Sequence, residues 1–285
     1  MAIYNVQGNN LSACYSQTGS ELNKAYNVNG SQIWTKTSTG IKVATYNVGD
    51  WGWGAGLIAP EYKSDYLALQ NTIFTNIDAD ICALQEWNVN FCTDGTLSSV
   101  VTSEYFDYLN GTGYWAIGSN IAFSSFNAYN YSTVSVSGDY AKYEKAYFNI
   151  GGIQVCLFNV HFDTDQTKQE AQCSEILTLA NQENYVIICG DFNTVIESLS
   201  DTDYTTMIKP FIDDGYTDAN CGAFGIFQTY YRTADPSDSY KPATDHIIVS
   251  SNITITNAYI DTTKLTDGLS QKIDHIPLVA ELSIA

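Results

Sequence analysis

The segment of residues 186–193, with the sequence VIICGDFN, constrains the fold of this chain more than any other stretch. Three β-favouring apolar residues and a cysteine form a short run that is typical of a strand buried on both faces. Gly190 permits a tight turn or a close backbone approach at the end of that strand. Asp191 and Asn193 stand two positions apart, so their side chains point the same way from the strand end. The pair predicts either a site that activates water or binds a metal, or an Asx turn that caps the strand.

Five further segments carry a polar side chain at or directly after an apolar, strand-like run. They are residues 43–48 (VATYNV), 84–87 (LQEW), 158–161 (FNVH), 244–249 (TDHIIV) and 274–277 (DHIP). Strand ends that meet at one edge of a sheet commonly hold catalytic groups on a rigid scaffold. In this order and at these distances, the six segments together resemble the endonuclease/exonuclease/phosphatase superfamily, the deoxyribonuclease-I-like proteins. The resemblance covers residues 41–285.

The resemblance and the strand pattern imply the same fold class. We expect an α/β fold in which two packed, mostly antiparallel β-sheets are flanked by helices, a four-layer α/β sandwich of the deoxyribonuclease-I-like kind. No linker is visible within residues 41–285, which we take as one monomeric catalytic domain. Residues 1–40 form an N-terminal extension. Alternating apolar residues around Asn29-Gly30 predict a β-hairpin there, which could extend a sheet edge, cover the surface as a flap or attach the chain to a larger assembly.

The hydrophobic pattern also predicts individual elements of the main domain. Helices are expected at about residues 61–77, 97–109 and 165–181. Strands are expected at residues 41–47, 80–86, 228–232, 245–249, 253–260 and 277–282, and four or five more within residues 114–160, where Gly151-Gly152 is typical of a hairpin turn.

The resemblance implies a metal site. Phosphodiester hydrolysis needs an activated water, neutralisation of the phosphoryl charge and help for the departing oxygen. Glu86 and Asp274 are hard oxygen donors suited to Mg²⁺ or Mn²⁺. By resemblance, Glu86 is the main metal carboxylate, and Asp274 and Asn47 complete the metal region. The structural alternatives are a strand-end cap for Asn47 and a solvated loop carboxylate for Glu86.

The resemblance also implies the catalytic roles of five residues. Asp191 orients or deprotonates the attacking water, and Asn193 positions the water and the phosphate. His161 donates a hydrogen bond to a phosphate oxygen, unless it merely satisfies a neighbouring backbone group. His275 is the partner of Asp245, whose carboxylate fixes the imidazole tautomer and favours its charged form. The charged ring then stabilises the oxygens of the transition state.

Three positions need a separate interpretation. The family often has an Arg or Lys, preceded by a Tyr, ahead of the strand that leads to the His motif. Here Tyr143 and Lys145 occupy that place, so we predict them as substrate contacts, with a solvated strand edge as the alternative. His246 stands where the pattern tolerates a large hydrophobe, so we predict a structural role. The loop that contains Trp51 and Trp53 either covers the core or stacks on a base, a sugar or a lipid surface.

Charge and cysteine usage restrict the partners and the compartment. A net charge of −19 with only 12 Lys and Arg disfavours a general phosphate-backbone binder, although divalent cations can screen a nuclease site. The seven cysteines form no CxxC pair, so a structural zinc site is not expected. No segment has the length of a transmembrane span, and the first residues lack the regions of a signal peptide. We therefore expect a mostly reduced protein and favour a cytoplasmic location.

The leading functional hypothesis is a Mg²⁺- or Mn²⁺-dependent phosphoesterase that splits a P–O bond by in-line attack of water. Nucleic acid is the first choice of substrate, and a nuclease the first choice of enzyme, because the motif residues are intact and no lipid- or inositol-specific loop is recognisable. The alternative is a phosphodiesterase or phosphatase that acts on a lipid, sugar or other small phosphate. A further alternative is a non-catalytic assembly or binding protein that retains the fold.

Overall fold

Two six-stranded β-sheets form the frame of the protein. The computed structural model describes residues 14–15, 21–22, 24–26, 32–35, 39–49, 63–87, 105–108, 115–231, 242–263 and 274–285. In chain order the strands are β1 (Cys14–Tyr15), β2 (Glu21–Leu22), β3 (Lys24–Tyr26), β4 (Gln32–Thr35), β5 (Thr39–Asn47), β6 (Ile81–Gln85), β7 (Tyr105–Tyr108), β8 (Trp115–Ser119), β9 (Phe123–Asn130), β10 (Lys142–Ile150), β11 (Ile153–His161), β12 (Val186–Ile196), β13 (Thr217–Asp218), β14 (Ala243–Val249), β15 (Ile253–Ile260) and β16 (Leu278–Ile284). The helices are α1 (Lys63–Ile77), α2 (Gln166–Ala180) and α3 (Lys209–Asp213), with a 3₁₀ turn at Gly138–Ala141 and a π-helical turn at Tyr204–Ile208.

Each large sheet is mixed, with a single parallel pair. Sheet I has the strand order β15-β16-β5-β6-β8-β7, and sheet II has the order β13-β14-β12-β11-β10-β9. The parallel pairs are β5–β6 in sheet I and β11–β12 in sheet II, and the other neighbours are antiparallel. The prediction of two packed, mostly antiparallel sheets is confirmed.

Three apolar layers hold the sheets and helices together. Inward-facing residues of both sheets, such as Val43 and Ile187, form the core between the sheets. Tyr66 and Ile73 of α1 pack on the outer face of sheet I, and Ile176 of α2 packs on the outer face of sheet II. This order of helix, sheet, sheet and helix is the predicted four-layer sandwich, stabilised by burial of the apolar face of each element.

Two predicted elements are wrong. Tyr105–Tyr108 lies within the predicted helix 97–109 but forms β7, an edge strand paired with β8. Aromatic residues favour a pleated strand when a neighbour offers a ladder, and here that tertiary contact outweighs helical spacing. No strand forms in the described part of residues 228–232, where Tyr230 makes only an isolated bridge to His275. The backbone N–H groups of Thr229 and Tyr230 instead donate to the Pro242 carbonyl.

The other described elements follow the predicted boundaries within a few residues. Helix α2 begins at Gln166 because the Asp165 side chain accepts a hydrogen bond from the backbone N–H of Lys168. Gly151 and Gly152 have positive φ angles of 62° and 89°, as the hairpin turn between β10 and β11 requires. Within residues 1–40, β3 pairs with β4 and β1 pairs with β2, both antiparallel. The Asn29-Gly30 turn and the loop with Trp51 and Trp53 lie outside the described residues.

The described cysteines are free thiols, and the described helices are not of the membrane-spanning kind. Five described cysteines are buried free thiols: Cys82, Cys156, Cys173, Cys189 and Cys221. Burial raises the pKa of each of these thiols, so they remain protonated and pack as small apolar groups. None of the helices in the described part of the chain has the length and apolar character that crossing a membrane needs.

Candidate active site

The core between the sheets changes from apolar to polar at one end. Along β5, inward-facing Val43 is followed by Thr45 and Asn47, and along β12, Cys189 is followed by Asp191. The buried polar residues at this end of the sheets are Thr45 and Asn47 on β5, Gln85 on β6, Asn159 and His161 on β11, Asp191 on β12 and Asp245 on β14. Because side chains alternate along a strand, each of these groups continues the same inward row as the apolar core. The polar end of the core is therefore a built site on rigid strands.

One carboxylate oxygen lies at the centre of this site. Asp191 Oδ2 accepts a hydrogen bond of 3.0 Å from Asn47 Nδ2, and it lies 3.4 Å from His161 Nε2 and 3.5 Å from His275 Nε2. The other oxygen, Oδ1, accepts from the backbone N–H of Asn193 at 2.7 Å. The structure thus brings Asn47, His161, Asp191, Asn193 and His275 together from strands that are distant in sequence.

Gly190 is what lets Asp191 stand so close to β11. Its φ angle is 153°, and a Cβ atom at this position would lie 1.8 Å from the Val160 carbonyl oxygen. Only a glycine fits this close approach of two parallel strands directly before the central carboxylate.

His275 is held by Asp245. His275 Nδ1 lies 2.8 Å from Asp245 Oδ2, which also accepts from the Thr244 hydroxyl at 2.8 Å. The backbone N–H of Asp245 donates to the Thr229 hydroxyl at 3.0 Å. This fixes the ring so that its second nitrogen, Nε2, is directed at Asp191.

Two residues of the site have a backbone conformation that side chains rarely adopt. Glu86 has φ 54° and Asn193 has φ 52°, and Asp78 is the remaining non-glycine residue with positive φ in the described part of the chain. Such strain costs of the order of 1–3 kcal/mol per residue and gathers at functional sites. Glu86 is further fixed by a hydrogen bond of 3.0 Å from Asn47 Nδ2, whose own oxygen accepts from the backbone N–H of Gly49.

Burial and neighbouring charges shift the pKa values of the three central groups, Asp191, His161 and His275, in different directions. Burial raises the pKa of Asp191 to about 6, although the neighbouring His275 charge acts to lower it. Burial lowers the pKa of His161 to about 4, so this ring is neutral at pH 7. Burial also acts to lower the pKa of His275, but the charges of Asp245 and Asp191 outweigh it and raise the pKa to about 10. Asp191, a base whose pKa is close to neutral pH, therefore lies between the neutral imidazole of His161 and the protonated imidazole of His275.

The acidic groups of the site fit a hard divalent cation. Burial raises the pKa of Glu86, and the negative charge of Asp274 raises it further. Glu86 and Asp274 are both partly buried carboxylates whose negative charges a bound cation would neutralise, and oxygen donors suit Mg²⁺ or Mn²⁺. Asp191, Asp245 and His275 form a second possible ligand group, with ligand atoms within 4.8 Å of one another.

The structure does not bring Lys145 and Tyr143 to this cluster. Their neighbour Glu144 faces inward and accepts from Asn159, so both residues point from β10 to the outer face of sheet II. There Lys145 forms an ion pair of 2.8 Å with Glu183. Tyr143 packs against other aromatic rings on the same face.

Sequence reasoning missed a shell of groups around the predicted residues. The Tyr140 ring lies 5.0 Å from the His161 ring, and the Tyr230 ring lies 5.2 Å from the His275 ring, centroid to centroid. Behind the site, Gln85 Nε2 donates to Asn159 Oδ1 at 2.6 Å. The signal for Asn159 was available, because it stands two residues before His161 in a strand and so must face the same way. The tyrosines carried no such signal, since a 3₁₀ turn places Tyr140 and an isolated bridge places Tyr230.

Comparisons by sequence and by structure give different results. A scan against protein-family models and a search of curated proteins find no match. Among solved structures, an endonuclease/exonuclease/phosphatase family protein from Bacteroides thetaiotaomicron aligns with a TM-score of 0.63 and 17% identity, over 87% of this chain and 99% of that chain. A family protein of the same description from Bacteroides vulgatus aligns with a TM-score of 0.65 and 18% identity, over 87% and 100%. Truncated TDP2 from Caenorhabditis elegans aligns with a TM-score of 0.61 and 17% identity, over 85% and 97%.

This chain has the deoxyribonuclease-I-like fold. The fold expected from the six short motifs is thereby confirmed over most of the chain. The deoxyribonuclease-I-like sandwich also explains why the motif residues meet, since its two sheets end their central strands at one common edge.

Proposed function

We propose that the protein is a divalent-metal-dependent phosphoesterase and that its substrate is a nucleic acid, which it cleaves as a nuclease. The observation that carries the proposal is the Asp191 carboxylate, whose pKa of about 6 suits a base and which lies between neutral His161 and protonated His275. Such opposed charge states in neighbouring groups mark acid and base partners.

In the proposed reaction a water attacks the phosphorus atom in line with the departing oxygen. Asp191 accepts the proton of that water, and Asn193, fixed by its bonds to Asp191 and to the Phe162 carbonyl, orients the water and the phosphate. His275, held charged by Asp245, stabilises the negative charge that develops on the phosphoryl oxygens. His161 donates a hydrogen bond to a phosphate oxygen.

Two buried atoms of the site are available to a bound group. His161 Nδ1 and Asp245 Oδ1 have no hydrogen-bond partner among the described residues. Because buried polar atoms in proteins are nearly always paired, we assign both to hydrogen bonds with ordered water or with a bound group.

Glu86 and Asp274 are the proposed metal ligands, and Asn47 holds Glu86 and Asp191 in place through its amide N–H groups. A bound Mg²⁺ or Mn²⁺ would supply charge neutralisation and polarise the phosphoryl oxygen.

The test is nicking of supercoiled plasmid with Mg²⁺ or Mn²⁺. Asp191→Asn is the central variant, and Asp213→Asn is its matched control because that carboxylate is exposed on α3 and pairs only with Lys209 in the described part of the chain. We expect nicking by the wild type and the control, and loss of nicking in Asp191→Asn and with a chelator.

A second candidate substrate class is favoured by the charge of the chain. With 12 Lys and Arg and a net charge of −19, the protein is better suited to a small phosphate ester than to a long polyanion. If no metal supports nicking but a small phosphodiester such as bis(p-nitrophenyl) phosphate is hydrolysed with the same dependence on Asp191, the nuclease proposal is refuted and this alternative replaces it. If neither is hydrolysed and calorimetry detects no Mg²⁺ or Mn²⁺ binding, the enzyme proposal fails and a binding or assembly role remains.

A further inference from the structure

The ladder between β12 and β14 is interrupted directly beside the site. The two strands pair as far as Asp191 and Asp245, and they pair again only at Ile196 and Ala243. Residues 192–195 of β12 thus form a bulge, where regular strand hydrogen bonds do not fix the backbone. Asn193, with its positive φ, lies in this bulge. Its position must therefore be set by side-chain contacts.

Thr194 and His246 supply such a contact on the face opposite the site. The Thr194 hydroxyl donates to the Ala243 carbonyl at 2.8 Å and lies 3.0 Å from His246 Nε2. The one hydroxyl therefore contacts both the Ala243 carbonyl and the His246 ring. The His246 ring also packs edge-on against Phe192, with ring centroids 5.0 Å apart.

The other ring nitrogen is bound by a buried carboxylate. His246 Nδ1 lies 2.7 Å from Asp218 Oδ2, and both side chains are 0% exposed. The Asp218 carboxylate also accepts the backbone N–H groups of Asn220 and Cys221. Asp218 and Thr194 thus bind the two ring nitrogens of His246, so the ring is held at both ends.

This pair touches both strands that carry the central residues. On β12 the bonded residue, Thr194, follows Asn193, and on β14 His246 follows Asp245. The loop after Asp218 adds a hydrogen bond of 2.6 Å from Asn220 Nδ2 to the Asp245 carbonyl. The buried pair therefore spans the interrupted ladder directly behind Asn193 and Asp245.

We propose that His246, held by Asp218 and bonded to Thr194, is a positioning residue that sets Asn193 and Asp191 relative to Asp245. The proposal rests on the proposed function, because its role is to hold that site in register. Groups behind a site that orient the reacting residues commonly change activity by about 10- to 100-fold when they are removed.

A metal ion is a poorer explanation of the same residues. Asp218, Cys221 and His246 offer ligand atoms within 4.8 Å of one another. However, two ligand atoms at about 2 Å from a tetrahedral ion lie about 3.3 Å apart. Nδ1 and Oδ2 are only 2.7 Å apart, which is a direct hydrogen-bond distance.

The kinetic test compares two changes at Thr194. Thr194→Val keeps the shape of the side chain and removes the hydroxyl, whereas Thr194→Ser keeps the hydroxyl. We expect Thr194→Val to lower kcat by about 10- to 100-fold with KM changed by less than about threefold, and Thr194→Ser to retain wild-type kcat within about threefold. His246→Phe, which keeps the contact with Phe192, should reproduce the Thr194→Val loss. If Thr194→Val and His246→Phe are folded and both keep kcat within about twofold, the proposal is refuted.

A second measurement does not depend on activity. In protein labelled with ¹⁵N-histidine, the NMR signals of the His246 ring nitrogens are expected to move in Thr194→Val, which loses the contact at Nε2, and to stay in place in Thr194→Ser. The Asn193 backbone and side-chain amide signals should move in Thr194→Val and stay in place in Thr194→Ser. His246 ring signals or Asn193 signals that are the same in the wild type and in Thr194→Val would overturn the proposal. If the wild type hydrolyses no phosphoester, the proposed function fails, whereas these signals still decide how Asn193 is held.

Discussion

The Asp191→Asn substitution is expected to abolish activity. It is also expected to make the protein increasingly stable relative to the wild type as pH rises. Asp191 is 1% exposed, and burial raises its pKa from 3.8 to about 6. The charged form is thus less favourable in the folded than in the unfolded protein. The wild type has its full stability from this group below pH 3.8 and loses it as pH rises through about 6.

The size of this effect follows from the shift in pKa. A shift from 3.8 to about 6 corresponds to about 3 kcal/mol at about 1.4 kcal/mol per pKa unit, and most of it falls between pH 4 and pH 8. Asparagine has nearly the same shape and does not ionise. The free energy of unfolding of Asp191→Asn minus that of the wild type should therefore rise by about 2–3 kcal/mol from pH 4 to pH 8.

The measurement is urea unfolding of metal-free protein at a series of pH values. Comparing this free-energy difference at two pH values cancels the energy of any contact that the substitution changes equally at every pH. Asp213→Asn is the control, since its carboxylate is exposed and should give no comparable pH-dependent difference. A difference between Asp191→Asn and the wild type that is constant within about 1 kcal/mol across the range would refute the assignment of Asp191 as a buried base.

Three further predictions concern activity and metal binding. Because Asp191 must be ionised and His275 protonated, kcat/KM should rise as pH passes through about 6 and fall as pH passes through about 10. His275→Gln should remove the fall at alkaline pH, and a fall that persists in this variant would contradict the role of His275. Glu86→Gln should weaken Mg²⁺ binding by about tenfold or more in calorimetry, and unchanged affinity would exclude Glu86 as a ligand. Lys145→Met should lower the thermal midpoint but change kcat/KM by less than about twofold, since Lys145 pairs with Glu183 on the outer face; a larger rise in KM would return Lys145 to the substrate site.

Most of the fold could be predicted from local patterns. The apolar run before Gly190 behaves as a strand buried on both faces, and the helix after Asp165 begins at its capping residue, because these features depend on nearest neighbours in the chain. The segment Tyr105–Tyr108 could not be assigned in this way. Its state is decided by pairing with β8, a partner that the local pattern does not reveal.

The candidate site was predictable to a similar extent. The parity of strand residues places Asn47, His161, Asp191 and Asp245 on inward rows, so their convergence follows once the strands are recognised. For Lys145, the position in the family motif predicts a substrate contact. Strand alternation instead places its side chain on the outer face of the sheet, where it pairs with Glu183.

By itself the sequence determined which side chains can act, because the period of two in each strand and the glycine at position 190 are properties of the local chain. Only the tertiary structure decided how they act. The pKa values of Asp191, His161 and His275 depend on burial between two sheets and on charges from other segments of the chain, such as that of His275 on Asp191, 84 residues away in sequence. The link from Thr194 through His246 to Asp218 arises because the ladder is broken at a bulge, and side chains from three strands replace its hydrogen bonds.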